Sequence, residues 1–132
     1  LRFDLIDRVI EEDEQRLVAV KAVSVAEEYL ADHFPGFPVL PGVMMLEAIV
    51  QAGRALLAKR AGGQPLVLTE AKNVRYGNMV RPGQHLIVEV NIRKQTQHGW
   101  QFNGKGTVGD QTAVQAQFVL EPLARQLDIT GN

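Results

Sequence analysis

The stretch from Gly42 to about Ala61 constrains this chain more than any other segment. It contains no proline, and Val43, Met44, Met45, Leu46, Ala48, Ile49, Val50, Ala52, Ala55, Leu56, Leu57 and Ala58 point in every direction around a helical period. Such a helix is expected to be buried on nearly all sides. Gly62-Gly63 supplies its stop, and Lys59 and Arg60 suit the negative end of its dipole. At roughly 1.5 Å per residue it would run about 30 Å, enough to cross a small domain. It therefore needs an envelope, and the remaining sequence offers strands.

Leu5 to Val23 reads as a hairpin: Ile6, Arg8 and Ile10 alternate in one run, Leu17 to Val25 supply β-branched residues in the next, and Glu11 to Gln15 separates them. Ser24 is placed to cap a short helix over Val25 to Ala31. His33 to Pro41 holds three prolines and one glycine and must be irregular. After the long helix, Leu66 to Tyr76, His85 to Gln95, Trp100 to Val108 and Thr112 to Glu121 read as strands. They are separated by Arg81-Pro82-Gly83, Gln97-His98-Gly99 and Gly109-Asp110-Gln111. The order β-β-α-β-β-β-β predicts an α+β fold, an antiparallel sheet wrapped around one central helix. Residues 1–132 read as a single domain, with 123–132 as a C-terminal tail.

Composition narrows the function. Of 132 residues, 45% are hydrophobic and 22% charged, an ordinary globular balance. The net charge of -1, with both signs interspersed, speaks against nucleic-acid binding. No apolar run approaches the ~18 residues of a membrane span. Leu1 to Ile10 carries four charges where a secretory signal would be apolar, so a cytoplasmic setting is expected. Cysteine is absent, which removes thiolate chemistry and cysteine zinc sites.

Against this background the polar residues of the helix stand out. Glu47, Gln51 and Arg54 fall at i, i+4 and i+7, on one face of an otherwise apolar rod. A lone carboxylate there would cost several kcal/mol, so Glu47 is expected to be paired, to hold its proton, or to face a cavity. Acid-base work and a self-satisfied polar trio remain equally open on the stripe alone. Gly42 begins the helix, where N–H groups lack partners and the dipole is positive, so an oxyanion could be held there; a plain Pro-Gly turn is the other reading. Glu47 lies about 7.5 Å further along the axis, within reach of the same small substrate. Of the three histidines, His33 alone adjoins the proline-rich loop. His85 starts a strand and His98 sits in a turn.

Taken together, His33-Phe34-Pro35-Gly36-Phe37-Pro38-Val39-Leu40-Pro41-Gly42-Val43, followed by Glu47-Ala48 and Gln51, resembles the signature of the FabZ-type 3-hydroxyacyl-[acyl-carrier-protein] dehydratases. The resemblance extends to Asp7-Arg8-Val9, Lys21 to Ser24 and Arg81-Pro82-Gly83. It implies a hot-dog fold whose minimum unit is a dimer, two sheets joined edge to edge. His33 of one subunit and Glu47 of the other would meet across a tunnel at the interface. The Gly42 amide would hold the thioester carbonyl, with Val43 beside it, and Gln51 would orient the Glu47 carboxyl.

The reaction so implied removes water from a 3-hydroxyacyl thioester and leaves a trans-2-enoyl thioester. It needs no metal or organic cofactor, because the thioester already acidifies C2. The substrate would arrive on the phosphopantetheine of acyl carrier protein, an acidic partner for which Arg75, Arg81 and Lys59 are candidate contacts. Glutamate at position 47 points to a plain dehydratase rather than a dehydratase-isomerase. Two departures stand out: Tyr76-Gly77-Asn78-Met79-Val80 replaces the family's Phe-Arg-Arg-Pro-Val, and Gln84 replaces an aspartate. They bear on carrier docking and acyl-chain preference. A hot-dog thioester hydrolase and a non-catalytic acyl-binding or assembly subunit are the competing readings.

Overall fold

A computed structural model of the protein describes residues 5–23 and 40–123. Within them one helix, α1 (Gly42–Leu57), lies against a six-stranded antiparallel sheet built from β1 (Arg8–Glu12), β2 (Arg16–Ala22), β3 (Leu66–Tyr76), β4 (His85–Gln95), β5 (Trp100–Val108) and β6 (Gln111–Pro122). The strand order is β1-β2-β4-β5-β6-β3, so the connection through α1 carries the chain from one half of the sheet to its far edge. The short helix expected over Val25 to Ala31, the irregular loop expected from His33 as far as residue 39, and residues 124–132 of the expected tail lie outside the described residues.

The sheet forms because its sequence alternates. In β4, Leu86, Val88 and Val90 are fully buried while Glu89 and Asn91 face away from α1, and β5 and β6 continue the pattern with Phe102, Val114, Phe118 and Leu120 inside. Fully burying an aliphatic or phenyl side chain of this size contributes about 1.5–3 kcal/mol, so this inner layer dominates the favourable energy. Phe102 and Phe118 stack with ring centroids 4.8 Å apart. Above them α1 presents Met45, Ala48, Ile49, Ala52, Leu56 and Leu57.

Close seating of the helix demands small residues beneath it. A Cβ on Gly104 would lie 2.3 Å from Ile49 Cγ2, and one on Gly53 would lie 2.9 Å from the Phe118 ring. Glycine at these two positions lets helix and sheet approach.

The helix is shorter than its sequence suggests. It ends at Leu57, and Ala58 to Gly63 continue as turns in which Ala61 N–H donates to Leu57 O at 2.9 Å and both Gly62 and Gly63 take positive φ. The expectation of burial on nearly all sides also needs correction: Val43 is 66% exposed, and Glu47 and Arg54 lie on the same open side. The buried face is a broad stripe, not the whole cylinder.

Candidate active site

The first turn of α1 is held open by its own sequence. Pro41, extended at φ -61 and ψ 144, caps the helix without a side-chain hydrogen bond, and its carbonyl accepts from the amides of Met44 and Met45. The amides of Gly42 and Val43 thus occupy the positions where a helix has donors and no internal acceptors. No acidic residue shares this turn.

Gly42 is required for a reason that its place in a Pro-Gly pair does not reveal. A Cβ there would sit 2.9 Å from Cε1 and 3.0 Å from Cδ1 of Tyr76, so the ring that ends β3 rests on the glycine. Tyr76 is itself 51% exposed, and with Val43 and Met79 it is among the few large hydrophobic side chains left open. The segment that follows is fixed to the site by main-chain bonds: Leu40 N–H donates to Val80 O at 2.7 Å, and Gly77 N–H to Ala113 O at 2.9 Å. Gln84, in place of an aspartate, closes the Arg81-Pro82-Gly83 turn by accepting from Arg81 N–H at 2.8 Å.

One and a half turns into α1, Glu47 projects from the open side. Its Oε1 accepts from Arg54 Nη1 at 3.3 Å, and Arg54 Nε donates to Leu66 O at 3.0 Å, so the carboxylate is tied through the guanidinium to the start of β3. The side chains of Glu47 and Arg54 are 43% and 38% exposed. The buried polar row expected from the i, i+4, i+7 spacing is thus a half-open row. Gln51 Oε1 accepts from Leu5 N–H at 2.9 Å, which anchors the segment leading into β1.

Gly42, Val43, Glu47 and Gln51 share the first three turns of α1; His33 lies outside the described residues. The three candidate docking cations do not form one patch. Lys59 follows the far end of α1, whereas Arg75 and Arg81 flank the Tyr76 to Val80 segment near its start. A cavity of about 500 Å³ lies elsewhere again, on the sheet face turned away from α1, where Asn73, Arg75, Glu89, Asn103, Lys105 and Gln115 make it mostly polar. An acyl chain would find no apolar wall there. Among the described residues no cluster of three His, Cys, Asp or Glu side chains could hold a metal ion, and no helix is long and apolar enough to cross a membrane.

The FabA-like domain family matches residues 1–117. A curated 3-hydroxyacyl-[acyl-carrier-protein] dehydratase FabZ of Coxiella burnetii is 39% identical over 123 residues, covering 89% of this chain and 87% of its own. FabZ proteins of Caulobacter vibrioides and Magnetococcus marinus are 35% and 39% identical over 121 residues, covering 88% and 87% of this chain and 76% and 78% of theirs. The chain belongs to the FabZ-type dehydratases of the FabA-like family. The fold agrees with this membership. The ApeI:P dehydratase heterocomplex of Xenorhabdus doucetiae superposes with a TM-score of 0.74 at 17% identity, over 90% of this chain and 82% of that one. Smu.793 of Streptococcus mutans, solved with acetyl CoA, gives 0.72 at 14% identity over 92% and 91%. The FabZ-type chain has the hot-dog fold, one helix against an antiparallel sheet. The sequence marks Tyr76 only as a departure from the family pattern; its place over Gly42 follows from β3 lying at the far edge of the sheet, a tertiary fact.

Proposed function

We propose that the protein dehydrates (3R)-3-hydroxyacyl thioesters carried on acyl carrier protein to trans-2-enoyl thioesters, within fatty acid biosynthesis or a related acyl pathway. The observation that carries this reading is Glu47, an open carboxylate five residues beyond the donor-rich first turn at Gly42, in a chain of the FabZ type. The Gly42 amide holds the thioester carbonyl, and the positive helix end stabilises the enolate-like charge that builds when His33 removes the proton at C2. Glu47, protonated, then delivers its proton to the C3 hydroxyl, which leaves as water. Val43 lines the acyl path beside Gly42, and Gln51 steadies the carboxyl from the next turn. No metal or organic cofactor takes part; the phosphopantetheine belongs to the substrate.

The working unit is a homodimer or larger homo-oligomer, with His33 and Glu47 meeting in trans at the interface. The two sheet edges differ in a way that supports pairing through β3. β1 has only five residues and ends on two carboxylates, features that discourage another strand, whereas β3, though its register with β6 shifts between Leu68 and Glu70 and between Lys72 and Arg75, is eleven residues long with β6 as its one neighbour in the described sheet. Residues 1–132 act as one dehydratase domain in the cytoplasm, neither nucleic acid nor membrane being a partner.

The test is hydration of a short trans-2-enoyl thioester by the purified protein, followed as loss of the conjugated-enoyl absorbance. His33→Ala and Glu47→Gln should each abolish it. Release of free thiol would identify a hydrolase instead. Mixing the two inactive variants should give heterodimers with one working site in two, and no recovery after confirmed subunit exchange would rule out a pair acting in trans.

A further inference from the structure

An arginine on a helix that otherwise buries apolar side chains has to find acceptors, and Arg54 finds two on different elements. Its Nε donates to the carbonyl of Leu66, the first residue of β3, at 3.0 Å. The neighbouring Pro65 carbonyl takes the Leu123 N–H, so in the alternating ladder the Leu66 carbonyl points away from β6, and the guanidinium supplies a donor that β6 does not. Because the guanidinium is planar and rigid, anchoring Nε largely fixes where Nη1 points. Nη1 reaches Glu47 Oε1 at 3.3 Å. The carboxyl group is thereby referenced to the sheet through one oxygen, and among the described contacts no donor occupies Oε2.

Stability alone gives a poor account of this arrangement. With both side chains more than a third exposed, such an ion pair contributes about 0–1 kcal/mol, and the contact is longer than an optimal charged hydrogen bond. We propose that Arg54 is a positioning residue for the reaction: it holds one oxygen of Glu47 so that the other is presented to the substrate. The proposal rests on the reading of Glu47 as the acid-base group. Arg54 acts through that carboxyl and touches no substrate.

The experiment compares the full-length wild type with Arg54→Met, Arg54→Lys, Glu47→Gln and the Glu47→Gln/Arg54→Met double variant in the enoyl-hydration assay, with melting temperatures recorded alongside. Loss of positioning should lower kcat of Arg54→Met about 10-fold or more while KM stays within about twofold. Arg54→Lys, which keeps the charge but cannot span both acceptors, should recover only part. In the Glu47→Gln background Arg54→Met should change the residual rate no further, because the two losses act through one group. Wild-type kcat in Arg54→Met beside an inactive Glu47→Gln would overturn the positioning role alone. So would a loss that reappears in full in the double variant, which a merely structural role predicts. Full turnover by Glu47→Gln would instead overturn the acid-base reading itself, and this inference with it.

Discussion

Two arginines among the described residues, Arg16 and Arg54, bind glutamates through the same groups and serve opposite ends. On the sheet, Arg16 donates from Nε to Glu89 at 2.6 Å and from Nη1 to Glu11 at 2.7 Å, and Asn91 adds a longer contact to Glu89 at 3.4 Å. Three strands, β1, β2 and β4, are laced together, and every charge has a close partner. On the helix, Arg54 divides itself between a carbonyl and one oxygen of Glu47 at 3.3 Å. The short pair is saturated and structural. The long pair leaves a carboxyl oxygen without a donor among the described residues, near the open first turn of α1, which is the condition for exchanging a proton with a ligand. An ion pair is thus informative by what it leaves unsatisfied.

The sharpest way to break this contrast is to neutralise each glutamate in turn. Glu47→Gln should fold normally and lose about 10²- to 10⁴-fold in turnover, the range a positioned general acid supplies. Glu89→Gln should keep turnover near wild type. Steady-state kinetics on the two variants checks both halves, and comparable activity in each would erase the distinction.

Next in size is a change that disturbs the seat of α1. Gly104→Ala places a methyl group 2.3 Å from Ile49 Cγ2, and since Ile49 is fully buried and stiff at its branched carbon the helix itself must shift. Overpacking of this kind costs about 1–3 kcal/mol, measurable in a urea titration. Because the Arg54 tie spans α1 and β3 while the Arg16 cluster lies within the sheet, turnover should fall along with stability. A variant destabilised to that degree but catalytically intact would mean that the carboxyl position tolerates helix movement.

Much of the scaffold beneath these pairs is legible in the sequence, since it follows from periodicity. The runs at Leu66–Tyr76, His85–Gln95 and Trp100–Val108 are strands over those same bounds, and α1 starts at Gly42 as the Pro41-Gly42 pair implies. What the pattern does not carry is tertiary. Ile10 alternates correctly with Ile6 and Arg8, yet the β1–β2 register shifts between Val9 and Glu11, and Ile10 ends 48% exposed. Lys21 falls on the inner row with Leu17 and Ala19, opposite Leu86, and is 5% exposed where alternation alone would ask for an apolar residue. In the site, the i, i+7 spacing of Glu47 and Arg54 announces their contact. The second anchor on Leu66 and the ring of Tyr76 over Gly42 depend on β3 crossing to the far edge of the sheet, which no local signal reports.

A smaller effect is expected when the structural pair loses its cation. Arg16→Met removes the group shared by Glu11 and Glu89 and should lower the urea midpoint by less than Gly104→Ala does, because these side chains are partly screened by solvent. The difference from wild type should shrink further in high salt. Turnover should be unaffected. A salt-independent loss would assign the role of Arg16 to the packing of its alkyl stem instead.

The smallest effect is also the one that separates the pairs by pH. The Arg16 guanidinium, bonded to Glu89, holds that carboxyl below its ordinary range; Asn91 and Lys105 act in the same direction, while partial burial opposes them. A carboxyl that gives up its proton more readily in the folded chain leaves the unfolded chain with more bound protons across that interval, so stability rises with pH there. The contribution of the pair is complete above the ordinary carboxylate range, near about pH 4.3 for glutamate, and is lost as pH falls through the lowered folded value. Wild type should therefore exceed Glu89→Gln in urea midpoint near neutrality and converge with it in acid. A gap that stays constant down to about pH 3 would mean that the stabilisation does not require the Glu89 charge, and the saturated pair would then differ from the Glu47 pair in geometry alone.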